Sequence, residues 1–344
     1  MSHDNPLGLN GFEFVEFTGP DTGAMAGQLE MMGFVAAARH PSLDIVRYKQ
    51  GHINFLINNA ATPQAAVFAA DHGPSANGMA FRVADAAAAY RLALENGAQP
   101  AQGGLLGDHV LQGIGGSLLY LVDHNVYAEW TPIAGAAEAE AANSVGFDIL
   151  DHLTHNVARG QMRTWSEFYR QIFGFEEQKY FDIKGQATGL FSQAMIAPDG
   201  AIRIPLNESQ DDTSQIEEFL RQYKGEGIQH IALTTEDIYA TVEKLRARGV
   251  KLQDTILTYY DLVDKRVPGH GEDLERLKAN RILIDGDVAS EGILLQIFTE
   301  NTFGPIFFEV IQRKGNQGFG NGNFQALFES IELDQIRRGV IQVA

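Results

Sequence analysis

The chain of 344 residues contains no cysteine. This absence excludes disulfides, thiolate zinc sites, iron–sulfur clusters and cysteine nucleophiles, so nitrogen and oxygen must hold any bound metal. Basic residues are also few, since 26 lysines and arginines stand against 44 aspartates and glutamates, and the formal net charge is −18. Because such a chain is repelled by phosphate groups, nucleic acid and anionic membrane surfaces are disfavoured as partners.

Long apolar runs are lacking as well. No stretch of the sequence approaches the roughly 18 consecutive apolar residues that predict a transmembrane helix. The N-terminal sequence MSHDNPLGLNGFEF has no basic region followed by an apolar run, which is the pattern of a signal peptide. We therefore expect a soluble, cytoplasmic protein.

What the chain does contain is a repeated pattern. Four segments share the order of an alternating strand, a turn, an amphipathic helix and a glycine, followed by about three more strands. They begin near Gly11, Gly78, Asp151 and Gln229. The pattern predicts an α+β fold made of four βαβββ modules.

The helix of the fourth module illustrates the evidence. Ile238, Val242 and Leu245 fall on one helical face, and Gly249 follows where a left-handed residue ends many helices. Between the second and third modules, the Ala- and Glu-rich stretch at 134–143 has no core pattern and is interpreted as a linker. We place the domain boundary near residue 145, which gives domains 1–145 and 146–344.

Three candidate metal ligands lie in strand-like segments of the C-terminal half. They are His152, His230 and Glu309, separated by nearly equal intervals of 78 and 79 residues. A single histidine on a strand is more often a hydrogen-bonded core residue, but two histidines at comparable places in two modules favour ligands. Two histidines and one carboxylate with open coordination positions are the facial triad of non-haem Fe(II) oxygenases.

The immediate neighbours sharpen this assignment. Side chains alternate along a strand, so His152 and Thr154 share one face and His155 points to the other. Glu309 is flanked by aromatic and aliphatic residues, and burying a carboxylate there is costly unless it is paired or binds a cation. The first two modules have no ligand around residues 12–14 or at Gly78. We therefore expect the N-terminal half to be a structural partner that binds no metal.

Further candidates surround the triad. Gln296 and Phe298 share a strand face that can hydrogen-bond and stack on a planar substrate, and Ser192, Asn207 and Gln215 add polar groups. Near the C-terminus a glycine-rich connector, 315–322, precedes a helical pattern that starts at Asn323 as N-cap. Its apolar positions are Phe324, Leu327, Phe328 and Ile331. This terminal helix is predicted to pack on the core, to close a cavity, or to do both.

The C-terminal half resembles the 4-hydroxyphenylpyruvate dioxygenase family. The matching motifs are DHLTHNV, IPLNE, GIQHIAL, LLQIFT, GPIFFEVIQRKG and GFGNGNFQALFESIE, in the family's order. GFEFVEF and the overall length extend a looser match to the N-terminal half. The resemblance implies the vicinal oxygen chelate fold, with four βαβββ modules forming two open β-barrel-like domains and a C-terminal helix.

The resemblance also implies a site and a reaction. His152, His230 and Glu309 would bind one Fe(II) per subunit, and Ser192, Asn207 and Gln296 would be catalytic. The substrate pocket would comprise Ser192, Asn207, Gln215, Gln229, Gln296, Phe298, Phe307, Phe319 and Phe324. Simple alternation, however, turns Gln229 away from His230. The implied reaction converts 4-hydroxyphenylpyruvate and O₂ to homogentisate and CO₂ in tyrosine and phenylalanine catabolism, in a homo-oligomer that is a dimer or tetramer.

Two alternatives remain open. A 4-hydroxymandelate synthase would share the fold, metal and substrate but hydroxylate the benzylic carbon. The IPLNE and GFGNGNF segments favour the ring-hydroxylating enzyme. A metal-free binding or resistance protein on the same scaffold would need no triad, and the intact set of ligands argues against it.

Overall fold

A computed structural model describes residues 4–123, 125–184, 188–320, 322–323, 325, 335–336 and 338–339. Within them the strands form two eight-stranded sheets. The strands of the N-terminal sheet are β1 (Leu9–Thr18), β2 (Val35–Arg39), β3 (Ile45–Gln50), β4 (Ile53–Asn58), β5 (Ser75–Val83), β6 (Val110–Gln112), β7 (Leu118–Val122) and β8 (Thr131–Pro132). The strands of the C-terminal sheet are β9 (Phe147–Val157), β10 (Glu176–Lys184), β11 (Gly189–Ile196), β12 (Arg203–Ser209), β13 (Gly227–Thr235), β14 (Leu283–Asp287), β15 (Gly292–Phe298) and β16 (Phe307–Lys314).

The helices of the described residues are α1 (Thr22–Met31), α2 (Pro63–His72), α3 (Ala86–Glu95), α4 (Ala136–Asn143), α5 (Met162–Phe173), α6 (Gln215–Tyr223), α7 (Ile238–Ala247), α8 (Val263–Arg266) and α9 (Leu274–Asn280). Among them, α1, α3, α5 and α7 follow the first strand of a module, as the repeat predicts, and the others lie between or within modules. Short 3₁₀ turns occupy Ile114–Gly116 and Leu257–Leu262. The strand orders are β6-β7-β5-β1-β4-β3-β2-β8 and β10-β11-β12-β9-β13-β16-β15-β14. The prediction of four βαβββ modules is confirmed.

Local sequence signals account for the helix ends. Asp237 accepts a hydrogen bond from the Ala240 amide at the start of α7, which satisfies one of the free N–H groups of its first turn. Gly249 follows α7 with a φ of +86°, as its predicted role requires. Among the described residues, no helix has the length and apolar character needed to cross a membrane.

The stretch interpreted as a linker does connect the two sheets, but most of it is the helix α4. Alanine and glutamate are strong helix formers, and the helix needs no buried face because its contacts are polar. Glu140 accepts hydrogen bonds from Lys49 Nζ at 2.9 Å and from the Gly51 amide at 2.9 Å. Arg248 donates to the Asn143 carbonyl at 2.7 Å, so α4 is bonded to both halves.

Aromatic side chains join the two halves in one continuous core. The Phe17 ring lies 4.9 Å from that of Phe303, and Phe55 lies 5.8 Å from Phe308. These rings meet edge-on or tilted, which is the favourable geometry for aromatic pairs. The strand β16 is therefore supported from behind by the N-terminal half.

Candidate metal centre

The three predicted ligands lie on adjacent central strands of the C-terminal sheet. His152 is on β9, His230 on β13 and Glu309 on β16, and all three are buried. Glu309 Oε2 lies 3.2 Å from His152 Nε2 and 3.5 Å from His230 Nε2. Metal–ligand bonds of about 2.1 Å place neighbouring ligand atoms about 3 Å apart, so this donor set fits a first-row metal ion.

A β-bulge at Asp151 orients the first histidine. Ala232 pairs with His152 and the next residue, Leu233, pairs with Leu150, so Asp151 is the extra residue on β9. A bulge interrupts side-chain alternation, and Asp151 consequently reaches its own neighbour. His152 Nδ1 donates to Asp151 Oδ1 at 2.8 Å. With Nδ1 engaged, Nε2 is the nitrogen available to a metal.

A second bulge does the same for the other histidine. Ile228 pairs with His155 and His230 pairs with Thr154, which leaves Gln229 as the extra residue on β13. His230 Nδ1 donates to Gln229 Oε1 at 3.0 Å. The inference from simple alternation that Gln229 turns away from His230 is therefore wrong, because alternation holds only for regular pairing.

The charges of the triad depend on one another. Burial by itself would raise the pKa of the Glu309 carboxyl, but the two histidines bring it down to about 2. Burial lowers the pKa of the His152 imidazole, yet Glu309 and Asp151 together raise it above its ordinary value. The pKa of His230 shifts in the opposite direction, because the effect of burial, which lowers it, is larger than the effect of Glu309, which raises it. The negative charge of Glu309 and Asp151, which raises the pKa of His152, would also favour a metal cation at this place.

Gln296 supports the carboxylate ligand. Its Nε2 donates to Glu309 Oε1 at 2.7 Å, and its Oε1 accepts from Asn323 Nδ2 at 2.8 Å. The oxygen of Glu309 that faces the histidines is Oε2, so the two carboxylate oxygens have separate partners. Gln296 therefore orients the ligand as well as lining the cavity beside it.

A small cavity adjoins the triad. Its walls are His152, Thr154, Phe181, Ser192, Pro205, Asn207, His230, Gln296, Phe298, Glu309 and Phe319. Five of the predicted pocket residues are among them, namely Ser192, Asn207, Gln296, Phe298 and Phe319. Within the described part of the chain, Asn207 Oδ1 and both polar atoms of the Asn156 side chain have no hydrogen-bond partner. Asn156 lies directly opposite Asn207 on the neighbouring strand, so both side chains are on the cavity face.

The remaining predicted pocket residues lie elsewhere. Phe307 stacks on the His230 ring, with centroids 4.9 Å apart, and Gln229 bonds the same ring. Gln215 is buried at the start of α6. Phe324 falls outside the described residues, as does most of the predicted terminal helix. His155, on the opposite face from His152, bonds Tyr169 on α5 through Nε2 at 2.7 Å, and burial lowers its pKa to about 3.

Sequence reasoning missed several residues around the site. Thr154, Phe181 and Pro205 line the cavity, and Asp151 and Arg313 lie behind His152. The position of Arg313 could have been predicted from the sequence, because it follows Glu309 by four residues and so shares its strand face. The position of Asp151 could not, since its orientation depends on the bulge.

The N-terminal sheet has the same ladder with different side chains. Gly78 pairs with Glu16 and with Leu118, as His230 pairs with Thr154 and with Phe307. Counting along these strands, the positions of His152, His230 and Glu309 correspond to Phe14, Gly78 and Tyr120. Phe14 and Gly78 have no side-chain atom that could bind a metal. The Tyr120 hydroxyl donates a hydrogen bond to Glu16 at 2.9 Å.

Comparisons with known proteins agree with this architecture. The family model for the N-terminal part of hydroxyphenylpyruvate dioxygenase matches residues 3–133. The model of the glyoxalase, bleomycin resistance protein and dioxygenase superfamily matches residues 149–262. A mutant 4-hydroxymandelate synthase from Streptomyces coelicolor has a similar structure, with a TM-score of 0.83 at 26% identity over 96% of this chain and all of that one.

Relatives with known names are similar over the whole length. A 4-hydroxyphenylpyruvate dioxygenase of Pseudomonas aeruginosa is 57% identical over 99% of this chain and 98% of its own. A Vibrio vulnificus protein named hemolysin VllY is 55% identical over 99% of both chains. A 4-hydroxyphenylpyruvate dioxygenase of Legionella pneumophila is 52% identical over the same shares. The two half-barrel sheets, the triad and these full-length similarities together show that the chain belongs to the 4-hydroxyphenylpyruvate dioxygenase family and has its vicinal oxygen chelate fold.

Proposed function

We propose that this chain is an Fe(II)-dependent 4-hydroxyphenylpyruvate dioxygenase of tyrosine and phenylalanine catabolism. It converts 4-hydroxyphenylpyruvate and O₂ to homogentisate and CO₂. The observation that carries the proposal is the convergence of two imidazole Nε2 atoms and one carboxylate oxygen beside an aromatic-walled cavity. The identity of 57% to a relative named for this activity supports it.

Fe(II), one ion per subunit, is the metal we propose for the triad. The three ligands are nitrogen and oxygen, and they occupy one side of the site, as in non-haem iron oxygenases. Bound Fe(II) would supply the redox chemistry and the coordination positions for the 2-oxo acid and O₂. Asp151 and Gln229 hold the imidazoles in the tautomer that binds it, and Gln296 holds the carboxylate.

The cavity walls suggest how the substrate is oriented. Phe181, Phe298 and Phe319 offer apolar surface to an aromatic ring and exclude water from it. Asn207 and Ser192, on paired positions of neighbouring strands, offer polar groups to the ring hydroxyl. Because Asn207 Oδ1 lacks a partner among the described residues, it is suited to accept that hydroxyl's hydrogen bond. We keep Gln215, Gln229 and Phe307 as proposed pocket residues that act from behind or beside these walls. Phe324 also stays a proposed pocket residue, from the family resemblance alone.

We propose a division of labour between residues 1–145 and 146–344. The second part carries the triad and the cavity, and the first part supports β16 through its aromatic core and binds no metal. A homo-oligomer, dimer or tetramer, in the cytoplasm is the arrangement we infer from the family resemblance. Light scattering on the purified protein measures the number of subunits.

The structural similarity to a 4-hydroxymandelate synthase makes that activity the alternative to be tested. Both reactions use the same substrate and O₂, and they differ in the carbon that is hydroxylated. The test is anaerobic loading of the purified protein with Fe(II), addition of 4-hydroxyphenylpyruvate and O₂, and identification of the product. We expect homogentisate and one CO₂ for each O₂ consumed. Formation of 4-hydroxymandelate without homogentisate would contradict the proposal, and absence of both Fe(II) binding and turnover would favour a metal-free binding protein.

A further inference from the structure

The guanidinium group of Arg313 stands at the junction of two parts of the site. Its Nε donates to Asp151 Oδ2 and its Nη2 to Asp151 Oδ1, both at 2.7 Å. This paired geometry is the strongest form of an arginine–carboxylate contact. Asp151 Oδ1 is also the acceptor for His152 Nδ1. The chain of contacts therefore runs from Arg313 through Asp151 to a metal ligand.

The remaining nitrogen of Arg313 faces the glycine-rich segment 315–320. Its Nη1 donates to the carbonyls of Asn316 at 3.1 Å and Gly318 at 2.6 Å. The next residue is Phe319, which lines the cavity and meets the His152 ring edge-on at 5.4 Å. The Arg313 guanidinium thus contacts both Asp151, which orients His152, and the segment that places the Phe319 ring against His152.

Other contacts of the segment depend less on the triad. Asn316 donates to the Gly292 carbonyl at 3.2 Å, and Gln317 accepts from Arg203 Nη2 at 2.9 Å. Arg203 Nη1 lies 3.6 Å from Asp151 Oδ2, which is an ion pair and not a hydrogen bond. Of the two arginines, only Arg313 makes a bidentate hydrogen bond to Asp151.

We propose that Arg313 is a positioning residue that couples the orientation of His152 to the seating of segment 315–320 over the cavity. When Asp151 and the two carbonyls are held together, the imidazole is oriented for the metal and Phe319 closes one wall. Binding of metal at His152 then stabilises the segment, and seating of the segment strengthens metal binding, because coupling between two sites is reciprocal. The inference rests on the metal site proposed above and not on the identity of the substrate.

The first measurement is anaerobic titration of the metal-free full-length protein with Fe(II). The variant Arg313→Lys keeps the charge but loses the planar fork that bonds Asp151 and the carbonyls together. We expect it to bind Fe(II) about 10–100-fold more weakly, which is the usual effect of losing a group that orients a metal ligand. The matched control is Lys314→Gln, which removes a cation from the next position, where the side chain pairs with Glu272. The control should bind Fe(II) as the wild type does.

The second measurement is hydrogen exchange at the backbone amides of 316–320. We expect Fe(II) to slow this exchange in the wild type and in Lys314→Gln but not in Arg313→Lys. A purely structural defect would instead raise exchange along the whole of β16 and lower the urea midpoint of unfolding. Arg203→Lys is a second control, because Arg203 forms an ion pair but no bidentate hydrogen bond with Asp151, and it should change Fe(II) affinity far less than Arg313→Lys.

The outcomes are distinct. Absence of Fe(II) binding by the wild type would contradict the proposed function itself. Wild-type binding together with equal binding by Arg313→Lys would overturn the coupling alone. The coupling would also be overturned if Fe(II) left exchange in 316–320 unchanged in the wild type.

Discussion

In the C-terminal half, buried polar side chains converge on a place for a cation, whereas at the matching place in the N-terminal half they converge on a carboxylate. Glu16, fully buried, accepts from Asn58 Nδ2 at 2.6 Å, from Asn77 Nδ2 at 3.0 Å and from the Tyr120 hydroxyl at 2.9 Å. Its ladder equivalent in the other half is Thr154, whose hydroxyl lies 2.9 Å from His230 Nε2. The Glu16 carboxylate thus accepts hydrogen bonds from three neutral donors, whereas the Glu309 carboxylate lies beside two imidazoles.

The comparison explains why glycine stands where the other half has a histidine. A Cβ at Gly78 would lie 2.9 Å from the Tyr120 ring and 3.1 Å from Glu16 Oε2. The tyrosine and the carboxylate therefore fill the space that a ligand side chain would need. The same backbone framework carries a candidate metal centre in one half and a closed hydrogen-bond network in the other, depending on three side chains.

The largest expected effect comes from removing a ligand. His230→Ala leaves two ligands on one side of the ion, and we expect no Fe(II) binding at concentrations that saturate the wild type, and no homogentisate. Anaerobic titration and oxygen uptake measure the two properties. Tyr120→Phe, at the position equivalent to Glu309, is the control and should keep full Fe(II) binding. Equal Fe(II) binding by His230→Ala and wild type would show that His230 is not a metal ligand, and the proposed difference between the two halves would be contradicted.

The next effect concerns stability of the N-terminal network. Glu16→Ala leaves the donors of Asn58, Asn77 and Tyr120 without their acceptor in a buried place. We expect the free energy of unfolding to fall by about 3 kcal/mol, from the cost of unsatisfied buried groups. Urea titration followed by tryptophan fluorescence measures it. Fe(II) affinity of the folded variant should stay at the wild-type value, and a large loss would show that the two centres are not independent.

A smaller effect is expected at the second bulge. Gln229→Ala removes the acceptor for His230 Nδ1, and Fe(II) affinity should fall about 10-fold, near the low end for residues that orient a ligand. Gln193→Ala is a suitable control, because its amide bonds Glu177 and not the triad. Unchanged affinity in Gln229→Ala would show that the bulge alone fixes the His230 ring.

The smallest effect is a pH dependence of the N-terminal carboxylate. Burial raises the pKa of the Glu16 carboxyl above its ordinary value of 4.5, although Asn58, Asn77 and Tyr120 oppose the shift. The folded protein then binds this proton more tightly than the unfolded chain. Between the raised pKa of the folded state and the ordinary pKa of the unfolded chain, the free energy of unfolding therefore rises as pH falls. Glu16→Gln lacks the titration. The free energy of unfolding of the variant minus that of the wild type should therefore decrease from about pH 8 to about pH 5, as urea titrations at each pH would measure; a constant difference would rule the effect out.

Much of the architecture followed from patterns along the chain. The modules are readable because strand alternation and helical spacing are local properties, and His152, His230 and Glu309 occupy corresponding places within them. The helical state of the linker was not predicted, because the alanines and glutamates of α4 make no core pattern and its contacts are with Lys49 and Arg248. Burial of Glu16 was not anticipated either, since its partners lie 42 to 104 residues away.

Residue identity and spacing were enough to predict the three candidate ligands, the family and the order of the modules. The side chains that orient these ligands became visible in the folded chain. Asp151 and Gln229 reach the imidazoles through bulges, and a bulge arises from how two strands pair and not from either strand alone. Arg313 gains its position in the same way, because its partners come from β9 and from the segment after β16.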